Sequence, residues 1–180
     1  MWFMILFFGC IIAYLIWAAN YNIKKSEEKH QKENDINEKG NEYNAVYSTE
    51  INHICGLPLS ENSRCILHLC DNQIVVEGTG QIFKLKKDKI IDMNIKTSKE
   101  VRNSISGAVG GAILLGPIGA FLGGSSTDFH RFFIIIYENK DNEEQCISFD
   151  LKDDLKIYKE IYNYIEQFKN NITEKKEIEL

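Results

Sequence analysis

Five cysteines and four histidines are the side chains of this 180-residue chain best suited to metal or nucleophilic chemistry. Their spacing assigns them none. A metal site needs Cys and His to converge, but the chain has no CxxC and no HxxxH, and Cys65 and Cys70 stand an odd number of positions apart in one alternating run, so they face opposite sides. His53, His68 and His130 read as surface or half-buried strand residues. There is no Gly-x-Ser-x-Gly elbow, no pair of carboxylates on a shared element and no Cys/His pair in a recognisable context, so no nucleophile or general base is nominated. No GxGxxG and no Gly-Lys-Ser/Thr follows the glycines, which excludes a familiar phosphate loop. The expectation is a non-catalytic protein without cofactor or metal.

The chemistry that the sequence does carry is apolar packing. Seven of the twelve glycines fall within Gly107–Gly124, inside a window, Asn103–Thr127, that holds no charged residue. Gly107 and Gly111 are four apart before Gly116-Pro117, and Gly119 and Gly123 are four apart after it. At ~100° per residue one continuous helix would turn the two pairs to different faces, whereas two short helices broken at Pro117 turn them toward each other. Such glycine faces allow close helix approach, as in a glycine zipper. Each half is only ~12–15 Å long, too short to cross a bilayer. Gly107, Gly111, Leu114, Leu115, Pro117, Gly119 and Gly123 are therefore the expected lipid- or partner-binding surface: a hairpin that dips into one leaflet, packs on a membrane helix or a second copy, or folds against its own domain. Lys84, Lys86 and Lys87 open a locally basic stretch reaching Arg102, suited to an anionic leaflet at ~1 kcal/mol per charge. A solvated lysine turn is the plain alternative.

A second uncharged window, Met1–Ile23, contains the uninterrupted apolar run Trp2–Ala19. Its 18 residues cover ~27 Å as a helix, close to the ~30 Å of a hydrocarbon core. Trp2, Tyr14, Trp17 and Tyr21 place rings toward both interfaces. A cleaved signal fits poorly, since nothing basic precedes the run and bulky Trp17 occupies a position that wants a small residue. Lys24, Lys25, Lys29 and Lys32 follow directly, which predicts a single-pass cell-membrane protein with its main domain cytoplasmic and Cys55, Cys65, Cys70 and Cys146 reduced; the reversed topology leaves a disulfide reading of the same four open. Residues 20–48, rich in Lys, Glu and Asn, read as a solvated flexible linker that holds the domain within ~30 Å of the bilayer. The net charge of −5 argues against nucleic acid as a partner.

The body, 49–169, shows period-2 alternation in short runs broken by turn signals: Cys65–Cys70, Gln73–Glu77, Gln81–Leu85, Ile91–Lys96, the apolar Arg131–Tyr137 and Cys146–Leu151. Asp153 and Asp154 then precede Leu155, Tyr158, Ile161, Tyr162, Ile165 and Phe168 at spacings of three and four, an amphipathic helix of about 16 residues. Residues 170–180 read as a frayed tail. The fold class is an N-terminal transmembrane helix plus an α+β domain, an antiparallel sheet capped by a C-terminal amphipathic helix, with the glycine-rich helical hairpin of 103–127 inserted into it.

Six or seven short antiparallel strands closed by one amphipathic helix, with the runs CILHLC, QIVVEG, IIDMNIKT and FFIIIYEN, resemble the pleckstrin-homology superfold in its bacterial and GRAM-like versions. The layout is also similar to small membrane-anchored proteins of low-GC Gram-positive bacteria that carry a glycine-rich insertion. The resemblance implies a binding or adaptor domain at the inner membrane surface that engages lipid or another membrane protein. The alternatives are self-assembly into a homo-oligomer through the glycine hairpin, and a structural envelope protein. Bulky replacements at Gly111 and Gly119 separate these: detergent-phase oligomers are abolished if the hairpin drives self-assembly, and a monomeric binder is left largely functional.

Overall fold

The computed structural model describes the backbone of residues 2–101, 130–152 and 154–176, and side-chain surroundings for 14–101, 130–152, 154–170. Its first element, α1, is one helix of 41 residues, Trp2–Glu42. The flexible linker expected over 20–48 is thus helical for most of its length. The composition accounts for this: Lys, Glu and Gln lose little side-chain freedom in a helix, and Lys24/Glu28, Glu28/Lys32, Lys29/Glu33 and Asp35/Lys39 are opposite charges four apart, worth ~0.2–0.5 kcal/mol a pair. Docking supplies the rest, since Ile36 is buried. The helix ends where Asn44 turns left-handed at φ 54°, after Tyr43 and Asn44 donate back to the carbonyls of Gly40 and Asn41. Among the described residues no helix is long and apolar enough to cross a membrane. Tyr14, Leu15, Ile16, Trp17, Tyr21 and Ile23 of α1 are all exposed.

Seven antiparallel strands follow: β1 (Ala45–Cys55), β2 (Ser63–Cys70), β3 (Gln73–Gly78), β4 (Gln81–Lys86), β5 (Ile90–Thr97), β6 (Arg131–Glu138) and β7 (Glu144–Asp150). They form one sheet in the order β4-β3-β2-β1-β7-β6-β5. The chain closes on α2 (Leu155–Lys176), longer than expected from its apolar stripe because the helix continues into the polar tail. Asp154 caps it, accepting the backbone N–H groups of Lys156 at 2.9 Å and Ile157 at 3.1 Å.

Alternation sorts the side chains onto two faces. Leu67, Leu69, Ile74 and Val76 from one half of the sheet meet Met93, Phe133, Ile135 and Phe149 from the other, all against Ile161, Tyr164, Ile165 and Phe168 of α2. One core shared by both halves requires the sheet to curl around the helix. On the opposite face Ile54, Phe132, Ile134 and Cys146 form a second cluster with Val101. This is why the FFIII run of β6 is apolar at every position: β6 is buried on both sides.

The seam between the halves is short. β1 pairs with β2 over eight registered residues, from Ala45↔Cys70 to His53↔Ser63, but with β7 only at Asn52↔Asp150, His53↔Phe149 and Cys55↔Ser148, with a register shift after His53. Gly56 leaves the seam at φ +96°, and a Cβ there would overlap the Cys146 carbonyl. Gly56→Ala is expected to cost roughly 3–5 kcal/mol. Gly80→Ala, with a similar φ of +75° but open space around it, is expected to cost about 1 kcal/mol. Urea denaturation of the two variants measures the difference.

Candidate functional site

The outer faces of β1, β2 and β3 receive the C-terminal half of α1, and polar side chains make the join. Ser48 on β1 lies opposite His68 on β2, so their side chains share a face, and Ser48 Oγ is 2.8 Å from His68 Nδ1. Glu77 on β3 stands diagonally across, its Oε1 3.7 Å from His68 Nε2. From α1, Lys39 Nζ reaches Glu77 Oε2 at 3.2 Å, and Tyr43, the residue after the helix, donates its Oη to Glu77 Oε1 at 2.8 Å. The Tyr43 ring packs tilted over His68 at 5.1 Å, and Lys32 pairs with Glu50 further along the helix. Burial opposes the charge of Glu77, but the bonds from Tyr43 and Lys39 outweigh it and hold the carboxyl below its usual range. His68 goes the other way: desolvation keeps the ring neutral against the pull of Glu77.

Serine, histidine and glutamate in a row have the types of a nucleophile, a base and its orienter. The geometry closes that chemistry off here. His68 is 0 % exposed, and α1 crosses so near that a Cβ on Gly40 would overlap Ser48 Oγ, which leaves no place for a substrate carbonyl. What the cluster can do is fix α1 on the sheet. Sequence reasoning placed His53 and His68 at the surface or half-buried; both are fully buried, His53 at 1 %. His53 Nε2 instead accepts the Leu57 N–H at 3.1 Å and holds the loop after β1. The missed signal for the cluster was its register: Ser48, His68 and Glu77 are polar residues on the outward phase of three strands that pair side by side.

The basic residues expected to meet lipid are divided among other tasks. Lys84 lies 5.5 Å over the Tyr43 ring, and Lys87 lies 5.2 Å over Tyr164 and 5.5 Å over Phe168. Each of these two lysines thus lies over an aromatic face of the domain itself. Lys86 is exposed on edge strand β4. Gly107, Gly111, Leu114, Leu115, Pro117, Gly119 and Gly123 lie outside the described residues.

The flanks of that segment are placed. The chain leaves the sheet through a helical turn at 98–101, opened by a capping box in which Glu100 accepts from the Thr97 N–H and hydroxyl at 2.7 Å, and Val101 is buried. It re-enters at His130, whose Nδ1 is 3.3 Å from Asp150 and whose carbonyl accepts the Ser98 N–H at 2.9 Å. Asp150 also lines a cleft of about 680 Å³ with Lys29, Lys32, Ile36, Lys152 and Lys156. Both flanks therefore sit beside the α1 cleft, at the end of the core where Arg131 stacks on Tyr158 of α2 at 5.3 Å. Lys87 sits against Tyr164 and Phe168, further toward the other end of the same helix. The structure does not bring the basic turn and the flanks of the glycine segment together.

Burial lowers the pKa of both His53 and His68 from the ordinary ~6.5, so in acid the unfolded chain binds protons that the folded chain refuses. Stability is then present above pH ~6.5 and falls as pH drops below it. A series of urea midpoints from pH 7.5 to 5 is expected to decline, with a shallower slope in His68→Gln that retains only the His53 share. No family model and no curated protein matches the chain.

Proposed function

We propose that the protein is a membrane-anchored, non-catalytic binding or adaptor module of pleckstrin-homology-like type, whose main domain stands on the cytoplasmic surface. The observation that carries this reading is the docking of α1: the helix that begins in the apolar run Trp2–Ala19 is the same helix that Tyr43, Lys39 and Lys32 clamp to the sheet. The exposed Tyr14, Leu15, Ile16 and Trp17 supply apolar and ring-bearing surface for lipid. Lys29, which lines the cleft, is ten residues from Ala19, so the cleft stands about 15 Å from the end of the apolar run. The module is held by a strut and close to the lipid, in place of a ~30 Å flexible tether.

The flanks of the glycine-rich segment support a second element of the same reading. Ser98, His130 and Asp150 cluster beside the cleft on which Lys29 and Lys32 lie, so the uncharged segment enters and leaves the fold on the side toward which α1 continues. Lys99 and Lys152 are exposed there, available to an anionic surface. The basic turn at Lys84–Lys87, beside the C-terminal end of α1, faces away and is free of that role.

Tryptophan fluorescence tests this placement. In a Trp2→Phe/Trp17→Phe background reconstituted in vesicles, the single substitution Lys152→Trp is expected to be quenched by brominated lipid, and Lys86→Trp is expected to be quenched several-fold less. Equal quenching at both positions, or failure of the full chain to float with vesicles, overturns the reading.

A further inference from the structure

Cys55, the last residue of β1, and Cys146, near the start of β7, meet across the seam of the sheet: Cys55 is registered with Ser148, two residues along β7 from Cys146, the next residue, Gly56, lies against the Cys146 carbonyl, and Cys55 packs on the outer-face cluster that holds Cys146 with Ile54 and Ile134. We propose that Cys55 and Cys146 form a reactive dithiol that a low-molecular-weight disulfide oxidises to an intramolecular disulfide across the β1–β7 seam. The position gives the bond a structural effect. The two halves of the sheet are joined there by only three registered pairs, so a covalent link beside Cys55↔Ser148 holds together the strands least secured by backbone pairing.

The other two cysteines of the domain serve as internal comparisons. Cys65 lies in the inner core, where burial pushes its thiol up to about 12, and Cys70 is buried and likewise raised by desolvation. Neither has a second thiol beside it among the described residues. Cys146 differs: the neighbouring Cys55 thiol favours its thiolate against the cost of burial, and the same neighbour raises Cys55. Cys55 is partly exposed, which gives a reagent access to the pair.

The exchange balances in two steps. The Cys146 thiolate attacks one sulfur of the disulfide RS–SR, forming a mixed disulfide and expelling RS⁻, which takes up the proton that Cys146 released. Cys55 then loses its proton and its thiolate attacks the Cys146 sulfur, expelling the second RS⁻, which is protonated to RSH. In sum the protein loses two hydrogens and RSSR becomes two RSH.

Incubation of the full chain with glutathione disulfide, an acid quench, N-ethylmaleimide blocking and peptide mapping provide the test. The expected product is a Cys55–Cys146 linked peptide, reversed by dithiothreitol, with Cys65 and Cys70 alkylated only after unfolding. In Cys55→Ala the expected product is a glutathione adduct on Cys146, and native-state alkylation of Cys146 at neutral pH is slower than in the wild type. A linked peptide between any other pair overturns the proposal. So does the absence of a linked peptide in the native wild type, or an alkylation rate at Cys146 indifferent to Cys55.

Discussion

β1 is the strand on which the remaining structure depends, because it is shared by everything else. Its backbone pairs with β2 on one side and β7 on the other. Its inward residues, Ile51 among them, enter the core under α2, while Ser48 and Glu50 face out and take up α1. A strand with two apolar faces would have buried either helix equally well. By alternating, β1 directs the amphipathic helix to one side and the charged helix to the other, each by the interaction that suits it.

The two attachments differ in kind. α2 is held by apolar area, a non-directional attraction that charge screening does not weaken. A buried polar link is added by Tyr164 Oη, which donates to the Cys70 carbonyl at 2.7 Å. α1 is held by hydrogen bonds and ion pairs around one partly buried carboxylate, where distance and protonation both matter. Gly40 is needed because that polar attachment works only at close approach.

The inner face of the sheet was legible from the sequence because period-2 alternation is a direct record of which side is buried: Met93, Ile147, Phe149 and Leu151 are core residues where the pattern places them. α2 was legible for the same reason at period 3.6. β1 was not, since Ala45–Cys55 mixes Tyr, Ser, Thr, Glu and Asn on a strand whose outer face is covered by another polar element, and covering a polar face leaves no apolar signature. The helical state of residues 20–42 was hidden similarly. A charged segment with scattered apolar residues looks solvated on both sides, and only Ile36 betrays that one side docks. The contacts of Lys84 with Tyr43 and of Lys87 with Tyr164 and Phe168 were not legible, because the rings come from parts of the chain distant in sequence.

An unbroken helix that begins in an apolar run and ends clamped to a sheet couples two orientations by residue count. Each residue between Ala19 and Lys29 contributes ~1.5 Å of rise and ~100° of rotation. Adding or removing one residue there would scarcely change the domain's height, yet would turn the sheet more than a quarter circle about the helix axis relative to the apolar run. A flexible linker has length but no phase; α1 has both. The azimuth of the β-domain, and with it the direction in which Lys99 and Lys152 face, is encoded in the length of a charged segment whose individual residues look interchangeable.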